Sequence, residues 1–403
     1  MQPKFYRKVL KNGMTLVFEK RNLPVVSVAF AVRAGGINES LNEKGISHFI
    51  EHMLYKGTPK RNWMQITSEI EKNGGFFNGF TSDEITGYYC KMPSEKLNVA
   101  LDVLIDLIKN PKFDADEIDK ERKVIFEEIK MHRDSPKRYV FEEVNKCLYS
   151  GTMSMNLAGN SKTLNSINRE KIVRKFGEIY QPNNFVMCVV GCADFENLVK
   201  VAEKNFSNDK GKILEQKIVL KNSEKVEKRK GIEQANLVFA YHVPVTKDQK
   251  SYTARVLSAL IAEGGSSRLF SEIREKRNLA YVIYGGSEIG KRFAVNFIYV
   301  GTMKENVSKV KKLILNEFEK VSKELDKKEL EKVKTQLIGQ FHIGMEDSQE
   351  QIINLLHSEI CGNAKDFYAF EKEIKKVKLE DVKKMASKVK KGNYSFFALV
   401  PEL

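Results

Sequence analysis

Cysteine, histidine and tryptophan are scarce in this chain, with five Cys, six His and one Trp, Trp63, among 403 residues. The cysteines, Cys90, Cys147, Cys188, Cys192 and Cys361, are odd in number and without paired spacing. That excludes a disulfide-stapled scaffold and fits a reducing, cytoplasmic compartment. Cys188 and Cys192 lie close together in FVMCVVGCADF, but the stretch reads as a buried strand, and no second Cys or His pair follows at zinc-finger distance. Long apolar runs are missing too. No segment approaches the ~18 continuous apolar residues of a membrane span, and the opening MQPKFYRKVLKNGMTL has no apolar run of signal-peptide length. No membrane association is expected.

What is present is ordinary globular material, 42% hydrophobic and 30% charged, long enough for two or three domains. The net charge of +15 raises the possibility of nucleic-acid or anionic-membrane binding. The lysines, however, are spread over many segments beside glutamates, and no helix-turn-helix, zinc-finger or aromatic RNA-binding signature accompanies them. The charge reads as solvated surface, and no nucleic-acid partner is expected.

Against so few histidines, GISHFIEHMLYKGT, residues 45–58, stands out. On a helix, Ile46, Phe49, Ile50, Met53 and Leu54 form one apolar stripe, and His48, Glu51, His52 and Tyr55 fall on the opposite face. Histidines at i and i+4 stand about 5–6 Å apart at Cβ, so both imidazoles can reach one ion at roughly 2.0–2.1 Å. Glu51 between them is better placed to take a proton from water than to be the third ligand. The order H-x-x-E-H is the inverted zincin signature, and H-x-x-[DE]-H arises by chance in about one such chain in a hundred.

A third ligand is sought in DADEIDKERKVIFEEIKMHRD, residues 114–134. With Ile118 at the origin of a helical wheel, Ile125 and Ile129 lie beside it and Val124 and Met131 form a second apolar group. Glu121 and Glu128 fall between the two groups and point inward, whereas Glu127 falls among Lys120, Lys123 and Lys130. A carboxylate flanked by apolar residues is costly unless paired or bound to a metal, which favours Glu128.

HFIEH followed some seventy to eighty residues later by ERKVIFEE resembles the pitrilysin-type inverted zincins, over nearly the whole chain. The resemblance implies one Zn2+ per chain held by His48, His52 and Glu128, with Glu51 as general base and Glu121 as the carboxylate supporting the site. GGFFNGFTSDEITGYY resembles the family's segment beside the substrate, which places Asn78 on an edge strand; Gly79 stands where a small residue such as Ala is expected, a minor change. In the second half, GGSSRLFSEIREKRNLAYVIYGG resembles the segment that supplies an Arg and a Tyr to the facing zinc site, matched by Arg274 and Tyr281. Arg274 would then hold a substrate carbonyl and Tyr281 would donate to the oxyanion.

Along the chain, FYRKVL and TLVFEK flank a tight Asn12-Gly13 turn, and VVSVAFAV continues a sheet. Ser94 reads as the N-cap of the helix that follows it. The charge-dense residues 207–231 read as a linker. Residues 232–403 then repeat the order of elements in 1–206, without a second H-x-x-E-H. The expected fold is α+β: two homologous domains, each a mostly antiparallel sheet with helices packed on it.

The expected function is zinc-dependent endoproteolysis of extended or unfolded peptides, basic ones among them, inside a clamshell. Because the resemblance extends to larger relatives with four such domains, two chains are expected to pair as a homodimer. The alternatives are a subunit of a heterodimeric processing peptidase and a non-catalytic peptide-binding protein.

Overall fold

The computed structural model describes residues 3–402. They form two compact units, one of Met1–Ile129, Met155–Lys217 and Gly344–Phe367, the other of Lys130–Ser154, Ile218–Ile343 and Tyr368–Leu403.

The first unit is built on strands β1 (Lys4–Val9), β2 (Thr15–Lys20), β3 (Val25–Val32), β4 (Phe76–Thr81), β5 (Thr86–Pro93) and β6 (Phe185–Gly191). They lie in the order β1-β2-β6-β3-β5-β4, with β2 and β6 parallel and the other neighbours antiparallel. The β1–β2 turn closes at Gly13, whose φ of +90° suits glycine, and Asn12 accepts a bond from the Met14 amide. β3 and β6 are apolar almost throughout because both of their faces are covered.

One face carries α1 (Ile46–Leu54), α2 (Trp63–Glu71), α3 (Leu97–Lys109) and the start of α4 (Ala115–Asp134), whose apolar residues share a core with Phe18, Val28 and Phe30. The helix Ser348–Cys361, from the far end of the chain, also packs on β6 and β3. Its Glu359 receives a bidentate pair of bonds from Arg7, both at 2.8 Å, and one from Arg33 at 2.9 Å. Its Gln351 donates to the buried Glu19 at 2.7 Å.

The second unit holds β7 (Glu224–Arg229), β8 (Ala235–His242), β9 (Ala280–Ile289), β10 (Ala294–Thr302) and β11 (Ser395–Pro401), in the order β9-β10-β8-β11-β7. Only the β11–β7 pair is parallel. This is the strand order of the first unit with β1 removed, down to the position of the parallel pair. The expected α+β duplication is therefore present in the topology. Here α5 (Pro136–Leu148), from the first half of the chain, packs on β8 and β11. Its Phe141 ring lies against Phe297 and Tyr299, and its Tyr139 hydroxyl donates to Glu227 at 2.8 Å.

Three sequence expectations need revision. Residues 207–231 include strand β7, EKVEKR, whose charged side chains suit an exposed edge where they stay in water and repel a further strand. Ser94 begins a 3-10 turn, and Lys96 stands at the N-cap of α3. The compact units also differ from the sequence halves, since the first includes the helix Ser348–Cys361 and the second includes α5.

Candidate metal centre

Helix α1 positions the site because its apolar stripe is locked: Ile46, Phe49, Ile50, Met53 and Leu54 are all fully buried. Its N-terminus is fixed by Glu39, which accepts bonds from the amides of Gly45 at 3.1 Å and Ser47 at 2.7 Å. A carboxylate there also meets the positive end of the helix dipole. Glu39 is itself paired at 3.6 Å with Lys44, and both are completely buried.

The opposite face brings the predicted residues together. The rings of His48 and His52 lie edge to face with centroids 4.5 Å apart. Glu128 reaches them from α4, its Oε2 3.6 Å from His48 Nε2 and 3.5 Å from His52 Nε2. One ligand atom from each of the three lies within 4.8 Å of the others. Ligands at 2.0–2.1 Å around a tetrahedral ion stand roughly 3.3–3.4 Å apart, so the carboxylate-to-imidazole spacings fit zinc with little adjustment. Two imidazoles and one carboxylate also match the donor set of a catalytic zinc, which leaves one position open.

Glu121 lies on α4 about two helical turns before Glu128 and is buried. Its Oε1 is 2.8 Å from His52 Nδ1, which turns His52 Nε2 toward Glu128. Lys56 pairs with the other oxygen of Glu121. Burial pushes the Glu121 carboxyl up, but the bonds with His52 and Lys56 outweigh it and hold it below the usual range. For His52 burial acts in the opposite direction, and the bonds with Glu121 and Glu128 overcome it, so the imidazole is pushed up to about 9.

Glu51 is 8% exposed, and its Oε2 accepts a bond of 2.8 Å from the Thr81 hydroxyl on β4. Its carboxyl is raised, first by burial and then by the charge of Glu128, although Thr81 and His52 pull it down. A carboxyl raised in this way holds a proton more readily than a free one, which suits a group that exchanges protons.

Asn78 is exposed on β4, which is an edge strand pairing with β5 alone among the described residues. Its Oδ1 accepts from the Gly79 amide at 2.9 Å. Gly79 is more than a small residue. A Cβ there would lie 2.2 Å from the Tyr55 hydroxyl oxygen, so alanine would not fit beside Tyr55.

Arg274 and Tyr281 belong to the second unit, where the structure pairs them. The Arg274 guanidinium lies 5.1 Å from the centre of the Tyr281 ring and 4.8 Å from that of Phe270. Tyr281 sits at a bulge, since Ala280 pairs with Thr302 and Val282 with Gly301, and its side chain is 74% exposed. Bulges of this kind re-aim a side chain away from the regular pleat.

On α4, Ile118 and Ile125 are buried and Glu127 is exposed, as the helical wheel expects, but Val124 and Met131 are exposed rather than forming a second apolar flank. Glu121 and Glu128 face inward because they share the side of Ile118 and Ile125. Thr81 and Lys56 were not singled out by the sequence for their contacts with Glu51 and Glu121, nor Tyr55 for its place near Glu51. The signal for Tyr55 and Lys56 was helical spacing, four residues beyond Glu51 and His52; Thr81 carried none, because its approach depends on strand pairing.

Residues 15–161 match the family described as Insulinase (Peptidase family M16), and residues 166–337 match the Peptidase M16 inactive domain. A Rickettsia felis protein named an uncharacterized zinc protease is 32% identical over 84% of this chain and 83% of its own length. A Bacillus subtilis protein, also named an uncharacterized zinc protease, is 30% identical over 98% of both chains. The crystal structure of a protease from Helicobacter pylori superposes with a TM-score of 0.90 at 22% identity, covering 99% of this chain and all of that one.

Proposed function

The chain belongs to the insulinase family, peptidase family M16, and on that premise we propose that it is a zinc-dependent endopeptidase acting on extended or unfolded peptides, with Glu51 as general base. The observation that carries this reading is the convergence of His48, His52 and Glu128, with Glu51 buried beside them.

His48, His52 and Glu128 would hold the ion, one per chain, and Glu121 would keep His52 in the right tautomer. Zinc in such a site supplies Lewis acidity and makes water a nucleophile at neutral pH. Glu51 takes the proton from the attacking water and returns it to the leaving amine, and Thr81 fixes the direction of its carboxylate. The free edge of β4 at Asn78 offers backbone groups to an extended peptide, which accounts for affinity with modest demands on side chains. To Tyr281 we assign hydrogen-bond donation to the oxyanion, and to Arg274 the holding of a substrate carbonyl. Their exposure and mutual stacking within the second unit support these roles.

The proposed assembly is a cytoplasmic homodimeric clamshell with basic peptides among its substrates. The presence in one chain of both the metal cluster and the Arg/Tyr pair supports identical subunits over a heterodimer. Among the described residues no helix is long and apolar enough to cross a membrane. The test is cleavage of a quenched basic peptide library by the purified protein, alongside its mass in solution. Chelator-sensitive cleavage by a dimer is expected; cleavage by a stable monomer would remove the clamshell.

A further inference from the structure

Tyr55 closes helix α1, and its ring packs between Phe77, centroid 5.3 Å away, and Tyr88, at 6.1 Å. Packing of the ring does not require a hydroxyl. Yet the hydroxyl oxygen is buried and has no hydrogen-bond partner among the described residues. Such groups are rare in native proteins and call for an explanation.

The hydroxyl occupies room left by Gly79. A Cβ at residue 79 would lie 2.2 Å from the Tyr55 oxygen, and the same point is 3.1 Å from Glu51 Oε1. The backbone of Gly79 is not left-handed, so its conformation does not demand glycine. Glycine inside a strand forfeits a side chain that could pack. Two unfavourable choices, a strand glycine and an unpaired phenol, thus meet at one point beside the carboxylate that serves as base.

We propose that Tyr55 is a positioning residue for Glu51, with its hydroxyl donating to Oε1 when the carboxylate turns into its working position. Thr81 already holds Oε2 at 2.8 Å. A carboxylate has about four lone-pair sites, so two donors fix its plane and leave an acceptor site for the proton of the attacking water. Gly79 is the complement of the hydroxyl, which makes Tyr55 and Gly79 one unit.

This inference rests on the peptidase reading, and its test separates the two. Tyr55→Phe, Gly79→Ala, the double variant and Glu51→Gln are compared with wild type in peptide hydrolysis, zinc content and thermal melting. Tyr55→Phe is expected to keep its zinc and its melting temperature and to hold KM within about twofold while kcat falls about tenfold. Gly79→Ala is expected to melt lower than wild type, and adding Tyr55→Phe should restore the melt without restoring kcat. A wild-type kcat in Tyr55→Phe, with Glu51→Gln inactive, overturns the inference alone. So does a Gly79→Ala melting cost that is the same with Tyr or Phe at position 55. Full turnover by Glu51→Gln removes the base role of Glu51, and no turnover by wild type removes the peptidase reading; either result takes this inference with it.

Discussion

Glu121 bears on the His48, His52 and Glu128 cluster through its contact with His52. It accepts from His52 Nδ1 and pairs with Lys56, so it fixes both the tautomer and the orientation of one imidazole. Glu121→Gln is expected to weaken zinc binding about 10–100-fold with little change in the fold, as measured by competition against a chromogenic chelator. The His52 imidazole, pushed up to about 9, sets a pH dependence of its own. Metal binding requires the neutral ring, so zinc uptake at pH 7–8 should release about one proton, seen as calorimetric heats that differ between buffers of different ionisation enthalpy. In the metal-free protein this group stabilises the fold fully below its ordinary value of 6.5 and loses that contribution as pH rises through about 9. Legibility at this scale followed periodicity. His48, His52 and Glu51 could be read from one helix, and Glu128 from a second, but Thr81 reaches Glu51 from strand β4, packed against α1, and no local spacing encodes that approach.

At the scale of elements, α1 is held in place by a buried device at its start. Glu39 receives the Gly45 and Ser47 amides and pairs with the buried Lys44, so removing its carboxylate would strip both amides of their acceptor and leave Lys44 facing Asp83 alone of these two carboxyls. Glu39→Ala is expected to cost ~3–5 kcal/mol of stability, measured by denaturant unfolding, and to lower zinc occupancy because the helix carrying both histidines loses its anchor. The apolar stripe of α1 was evident in the sequence, since every residue assigned to it is fully buried. The second apolar flank of α4 was not correct, because Val124 and Met131 are exposed and composition alone does not say which side of a helix meets a sheet. Strand β7 was equally hidden, its charge-dense EKVEKR resembling a linker until β11 is seen beside it. The bulge at Tyr281 likewise follows from the register of β9 on β10 rather than from any local signal.

At the scale of the whole molecule, the duplication is visible in strand order, but the compact units are not the two halves of the chain. The first unit depends on Glu359, Gln351 and their helix, drawn from residues 344–367. A fragment of residues 1–220 would lack that helix and strip from β3 and β6 the cover it provides. It is expected to be insoluble or to bind a hydrophobic dye strongly, whereas co-expression with residues 221–403 should restore a soluble complex; a fragment that folds alone with sharp thermal unfolding would contradict this. The most direct test of the account as a whole is turnover by Glu51→Gln with zinc quantified in both proteins. The predicted result is unchanged zinc content with kcat reduced at least about a hundredfold, since the variant keeps the ligands and loses the base. Equal turnover in the two proteins, or zinc bound by a wild type that cleaves no peptide, would contradict it.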